Sequence, residues 1–111
     1  MRLPQDTLIS PDKIIRYLLV PQTKGDKSRF LSQAGYDAAN ADQLVHDIRG
    51  QILPCDVVVL ELTVHGQFFE ITGPLTGPNG RTLDVKTIWM KEHLSGQTKF
   101  ITLIPHKRTR R

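Results

Sequence analysis

Hydrophobic and polar positions follow two different rhythms along this chain. Up to about residue 54, apolar residues recur three or four apart. Beyond it they alternate with polar ones, position by position. The first rhythm predicts three helices. Ile14 with Leu18 and Ile15 with Leu19 mark the buried side of the first. Ser10 is its cap, Pro11 fits its first helical position and Pro21 stops it. Ile9 and Ile14 sit at staple spacing, and Tyr17 reads as an aromatic at the core edge. A short second helix should run from Lys27 to Ala34, capped by Asp26 and ended by Gly35. Asn40 and Gln43 have the spacing of a capping box for the third, whose stripe is Leu44, Val45, Ile48 and Ile52. Gly50 weakens its last turn and Pro54 ends it.

The second rhythm predicts four strands. Val58, Leu60, Leu62 and Val64 share one face of the first. Phe69 and Ile71 lie on one face of the second, with Phe68, Glu70 and Thr72 on the other. In the third, Leu83, Val85, Thr87 and Trp89 oppose Asp84, Lys86, Ile88 and Met90. "KFITLI" is the fourth, with Ile101 and Leu103 set opposite Phe100. Apolar residues on both faces of the last two strands leave room for a covering partner, including a homodimer. The stretch "GPNGR" has the chemistry of a bulged hairpin: Pro78 and Asn79 suit a type I turn, and Gly80 the left-handed position after it. Gly73-Pro74 should break the ladder with a bend or bulge. The fold class is therefore α+β: three N-terminal helices packed on a four-stranded antiparallel meander.

At 111 residues the chain is one domain by length, residues 1–105, followed by a basic tail, 106–111. Net charge is +4, but Lys107, Arg108, Arg110 and Arg111 account for it. Without them the chain holds 11 basic and 11 acidic residues, so the body is neutral. Such a tail is a solvated end or an arm that grips phosphates without sequence preference. The lone Cys55 excludes an internal disulfide and fits a reducing cytoplasm. The N-terminus lacks the apolar centre of a signal peptide. The longest apolar runs are about four residues, against the roughly twenty that a membrane helix needs.

Specialised chemistry is sparse. His46, His65, His93 and His106 are scattered and lack cysteine partners, so no metal or other cofactor is expected. Cys55, after a proline, reads as a buried structural thiol. The glycine-rich stretch matches neither nucleotide-binding pattern and joins two strands. What remains is a polar set beside the sheet. Thr87 reads either as a locally bonded core hydroxyl or as a hydroxyl at a cleft rim, where it would join Arg81 and Lys27 on a phosphate.

"LPQDTLISPDKIIRYLL", "KGDKSRFL" and above all "GPLTGPNGRTLDVKTIW" with "ITLIP" resemble a small uncharacterised bacterial family. It is marked by a Gly-Pro-x-x-Gly-Pro-x-Gly-Arg hairpin and a Val-x-Thr-x-Trp strand. The resemblance implies a stand-alone protein or a terminal module of a toxin-like one. More remotely, helices followed by a four-stranded sheet are similar to the metal-independent ribonucleases of the barnase and colicin type. That likeness implies RNA as substrate, with the 2′-OH attacking the adjacent phosphate. On it, Arg81 and Lys27 would hold phosphate and Thr87 would orient it. Lys86 and His65 stand in reserve, His65 as an acid or base. The other class is a non-catalytic module of accessory or immunity type, docking a protein partner through the sheet.

Overall fold

The computed structural model describes residues 1–21 and 27–106. It is an α+β domain whose sheet is a four-stranded antiparallel meander, β1 (Val58–Leu62), β2 (Gly66–Thr76), β3 (Thr82–Glu92) and β4 (Thr98–Pro105), in that spatial order.

The helical half is made of short segments. Helix α1 is one α-turn, Pro11–Lys13, running into a π-helical Ile14–Leu19. The wider i→i+5 turn brings Leu18 and Leu19 together onto the face that Ile14 begins, and all three are buried. Ser10 is extended at the cap position, although its side chain makes no cap bond. Tyr17 is 57% exposed rather than at the core edge. Helix α2 is Ser28–Ser32. Its sequence-predicted cap, Asp26, lies outside the described residues. Gly35 follows at φ +94, and Tyr36 N–H donates back to Leu31 O, closing the helix as expected.

Helix α3 joins a 3-10 turn, Ala38–Asn40, to α-helical Ala41–Asp47 and π-helical Ile48–Ile52. Its capping box starts three residues earlier than the sequence spacing indicates. Asp37 is the cap, accepting from Ala39 N, while the Asn40 side chain accepts from Asp37 N. Asn40 thus closes the box rather than opening one, and it also donates to Gly35 O. The second π-turn repeats the logic of the first: Ile48, Ile52 and Leu53 are all fully buried.

Leu44, Ile48 and Ile52 meet Ile71, Leu75, Val85, Trp89 and Leu103 in one core, with α3 seated on β2. Trp89 stacks edge-on against Phe100, ring centroids 5.2 Å apart. Two features of the sheet differ from expectation. The β2–β3 register is unbroken from Gly66↔Glu92 to Thr76↔Thr82, with no bulge at Gly73-Pro74. The reason is orientation. Thr76 turns its backbone groups away from β3, where Gln51 binds both, its Oε1 accepting from Thr76 N and its Nε2 donating to Thr76 O. Pro74, two residues back, faces the same way, so its missing N–H is one β3 never needed. The irregularity falls in β4 instead. Trp89 pairs Phe100 but Ile88 pairs Thr102, so Ile101 is an extra residue. Leu103 therefore joins Phe100 in the core, and Thr102 takes the open face.

The N-terminal segment acts as a strap across one end of the sheet. Met1 O accepts from Val57 N beside β1. Leu8 bridges β4 in parallel, donating to Thr98 O and accepting from Phe100 N. Leu3, Thr7 and Ile9 in this segment are themselves buried.

Candidate functional site

The hairpin stretch is built much as its residues dictate. Gly77 N–H donates to Arg81 O, Gly80 N–H to Gly77 O, and Gly80 takes φ +87. Its tip docks on the end of α2. Asn79 N–H donates to Ala34 O at 3.3 Å, and its Nδ2 to Gln33 O at 3.0 Å. The loop's polar atoms thus serve carbonyls left open at a helix C-terminus.

The four sequence candidates lie on separate parts of the fold. Thr87 is fully buried. Its Oγ1 donates to Ile71 O at 2.9 Å and accepts from Trp89 Nε1 at 2.7 Å. The hydroxyl's donor is committed, and the bond holds the indole in place. Arg81 is exposed where the chain leaves the hairpin tip. Lys27 precedes α2, at the opposite end of that helix from the docked tip. His65 is exposed in the β1–β2 turn, its carbonyl accepting from His93 N. Since β2 runs its full length between His65 and Arg81, those two stand about 30 Å apart. The structure does not gather the four around one reacting atom.

Replacing Thr87 separates the core role from any ligand role. Thr87→Val strips the Trp89 N–H of its acceptor and should lower stability by about 2 kcal/mol. Thr87→Ser, which keeps the oxygen, should lose about half as much. Urea denaturation checks this, and a wild-type midpoint for Thr87→Val would contradict the core role.

The sheet face turned away from the helices carries a different set. Lys86 pairs with Glu70 across the strands at 3.8 Å, both side chains partly buried. Thr72 lies opposite Lys86, and Thr102 opposite Ile88, which faces Glu70. His106 N–H donates to Asp84 O, which extends the β4 register by one residue. Glu70 and His106 had no place among the sequence candidates. The alternation in "FFEIT" already set Glu70 on this face, so a signal for it was present.

A second polar cluster is buried. Tyr36 Oη donates to Asp47 Oδ2 at 2.5 Å, and Gln43 Nε2 donates to Asp47 Oδ1 at 2.8 Å. Burial first, and then the bond and charge of Asp47, raise the Tyr36 phenol well above its ordinary range. The network ties the α2–α3 loop to the middle of α3. Asp47 falls within the apolar stripe at i+3 from Leu44, which was its only mark in the sequence.

Among the described residues, no three His, Cys, Asp or Glu side chains are grouped to hold a metal, and no helix is long and apolar enough to cross a membrane. No curated protein matches the chain, and neither does any solved structure. One family does, over residues 3–107, with the hairpin and the Val-x-Thr-x-Trp strand inside the matched span. Its description is a domain of unknown function, and by that match the chain belongs to the DUF6883 family.

Proposed function

We propose that the domain is a non-catalytic protein-binding module, with the β1 edge of the sheet as its contact surface. One observation carries this reading. Val58, Val59 and Leu62 of β1, with Val64 just beyond it, are 56%, 55%, 67% and 88% exposed along one edge of the sheet. Between Val57 and Val64 the only charge is Glu61, so the edge lacks the lysines that usually guard such strands. The patch turns the corner at the end of the sheet. His93 N–H bonds His65 O, which sets fully exposed Leu94 in the turn beside that of Val64.

Contact through side chains fits better than strand addition. Met1 O already takes Val57 N, and Gln67 Nε2 donates to Leu60 O and Glu61 O. The β1–β2 register also shifts between Val59 and Leu62. The matching partner presents an apolar surface of its own, and a second copy of this chain is one such surface.

The test joins Leu62→Glu with Val64→Glu, both exposed and outside the core. A tagged wild-type chain should retain a protein partner, or sediment as a dimer, where the double variant does neither. Identical retention and sedimentation by the two would overturn the reading.

The metal-independent RNA-cleaving reading keeps one observation in its favour. The uncovered face holds Lys86 against Glu70, a cation and a carboxylate on a sheet preceded by helices. Overexpression should leave growth unaffected and RNA intact in EDTA. Growth arrest with RNA degradation, lost in Lys86→Ala, Arg81→Ala or Lys27→Ala, would instead establish the enzyme.

A further inference from the structure

A cleft of about 380 Å³ opens where the N-terminal strap crosses the end of the sheet. It lies on the helix-bearing side of the sheet. Leu3 and Phe69 give it apolar wall; Arg2, Lys91, Asp6 and Thr98 give it polar groups. The volume is in the range of small-molecule sites.

Thr98 is the informative residue. It is only 5% exposed, and its backbone carbonyl is engaged by Leu8 N and Gln97 Nε2. Its hydroxyl has no hydrogen-bond partner among the described residues. Among the described residues, the other buried or half-buried threonine hydroxyls that reach a protein acceptor bond a backbone carbonyl: Thr7 to Pro4 O, Thr63 to Gly66 O and, across the strands, Thr87 to Ile71 O. Among the described residues, no buried side-chain oxygen or nitrogen is cut off from solvent and unpaired, so the Thr98 hydroxyl keeps its access through the cleft it lines.

Lys91 stands directly opposite Thr98 in the β3–β4 register, so the two side chains are neighbours on one face. Neither Lys91 nor Arg2 makes an ion pair among the described residues. Lys91, Arg2 and Thr98 with its unpaired hydroxyl thus line one space, with Phe69 and Leu3 beside them. The Met1 ammonium, which also borders the cleft, is paired with Asp56 at 3.8 Å, and the Asp6 carboxylate offsets one of the two remaining positive charges, so the surplus matches a single negative charge.

We propose that this cleft binds a small organic anion of single charge carrying an apolar ring or chain, its charge on Lys91, Arg2 and the Thr98 hydroxyl and its apolar part against Phe69 and Leu3. The site is separate from the β1 surface, and neither proposal depends on the other.

Benzoate is a suitable probe, followed by amide chemical shifts in a titration of the whole chain. Saturable shifts at Phe69, Lys91, Gly96 and Thr98 are expected in the millimolar range, at or below about 10 mM. Lys91→Glu, at an exposed position, should abolish them. Thr98→Val should weaken binding about tenfold, as the loss of a hydrogen bond to a charged group predicts. Inorganic phosphate should bind more weakly, since it uses none of the apolar wall. An absence of saturable shifts overturns the site. Unchanged affinity in Lys91→Glu removes its cationic half, and phosphate binding as tight as benzoate removes its apolar half; either result overturns the proposal.

Discussion

Replacing Gly77 with valine should destabilise the domain by about 4 kcal/mol, the largest single loss expected. A Cβ at this position would stand 2.1 Å from Ala34 O, 2.6 Å from Ala34 Cβ and 2.9 Å from Ala34 C. Those are a backbone carbonyl and a fully buried methyl, neither of which can swing aside. The hairpin tip must therefore lift from the end of α2, taking the Asn79 bonds to Ala34 O and Gln33 O with it. Two hydrogen bonds at roughly 1 kcal/mol each, added to the clash, give the figure. Gly77→Ala should fail nearly as badly, because the methyl alone makes the contact. Gly50→Ala is the control. Nothing lies within 4 Å of a Cβ there, and the site is helical, so it should gain several tenths of a kcal/mol. Urea midpoints of the three variants check the set. A Gly77→Val midpoint near wild type would mean that the tip is not held on α2.

The same contact explains what the hairpin motif is for. Three glycines and two prolines within eight residues invite a ligand-loop reading, yet the stretch acts as a clamp. Pro78, Asn79 and Gly80 form the turn, Gly77 gives it room, and Asn79 closes an open helix end. Arg81 projects from the clamp's exit and is exposed there.

The sheet was largely legible because its signals are local. Alternation placed Thr87, Trp89 and Val85 on the core face and Lys86 and Glu70 on the other. Pro-Asn-Gly chemistry placed the turn. The missed features depend on distant partners. The extra residue Ile101 flips Leu103 inward, yet "KFITLI" alternates well in either register, so only packing against β3 decides. Gln51 takes over a strand's role at Thr76 from 25 positions away. Asp37 displaces Asn40 as cap, although both are cap-forming residue types and only the chain path chooses between them. The candidate site was legible in part for a similar reason. Residue type pointed to Thr87 and Arg81, but face and distance are set by the fold, and they leave one buried in a core bond and the other at a loop exit.

Tyr36→Phe should lower stability by about 3 kcal/mol at neutral pH, and the loss should shrink as the solution becomes alkaline. The first part follows from Asp47, which is 8% exposed and has no ion-pair partner among the described residues. Its charge is held by the Tyr36 hydroxyl and by Gln43 Nε2, and phenylalanine leaves the amide alone to hold it. The second part follows from the phenol. Below an ordinary tyrosine value of about 10, folded and unfolded chains both keep the proton, and stability does not depend on it. Above that value the unfolded phenol ionises. The folded one, desolvated and facing a carboxylate, does not, because its value is raised. The unfolded state then binds fewer protons, and the stability this group contributes falls by about 1.4 kcal/mol per pH unit until the folded value is reached. The difference in stability between wild type and variant isolates the contribution of the Tyr36 hydroxyl. Chemical denaturation of both chains at about pH 8, 10 and 11.5 measures that difference. Converging stabilities above about pH 10 are expected. A constant gap across that range would mean that the folded phenol ionises as freely as an exposed one, and that the bond to Asp47 does not hold the proton.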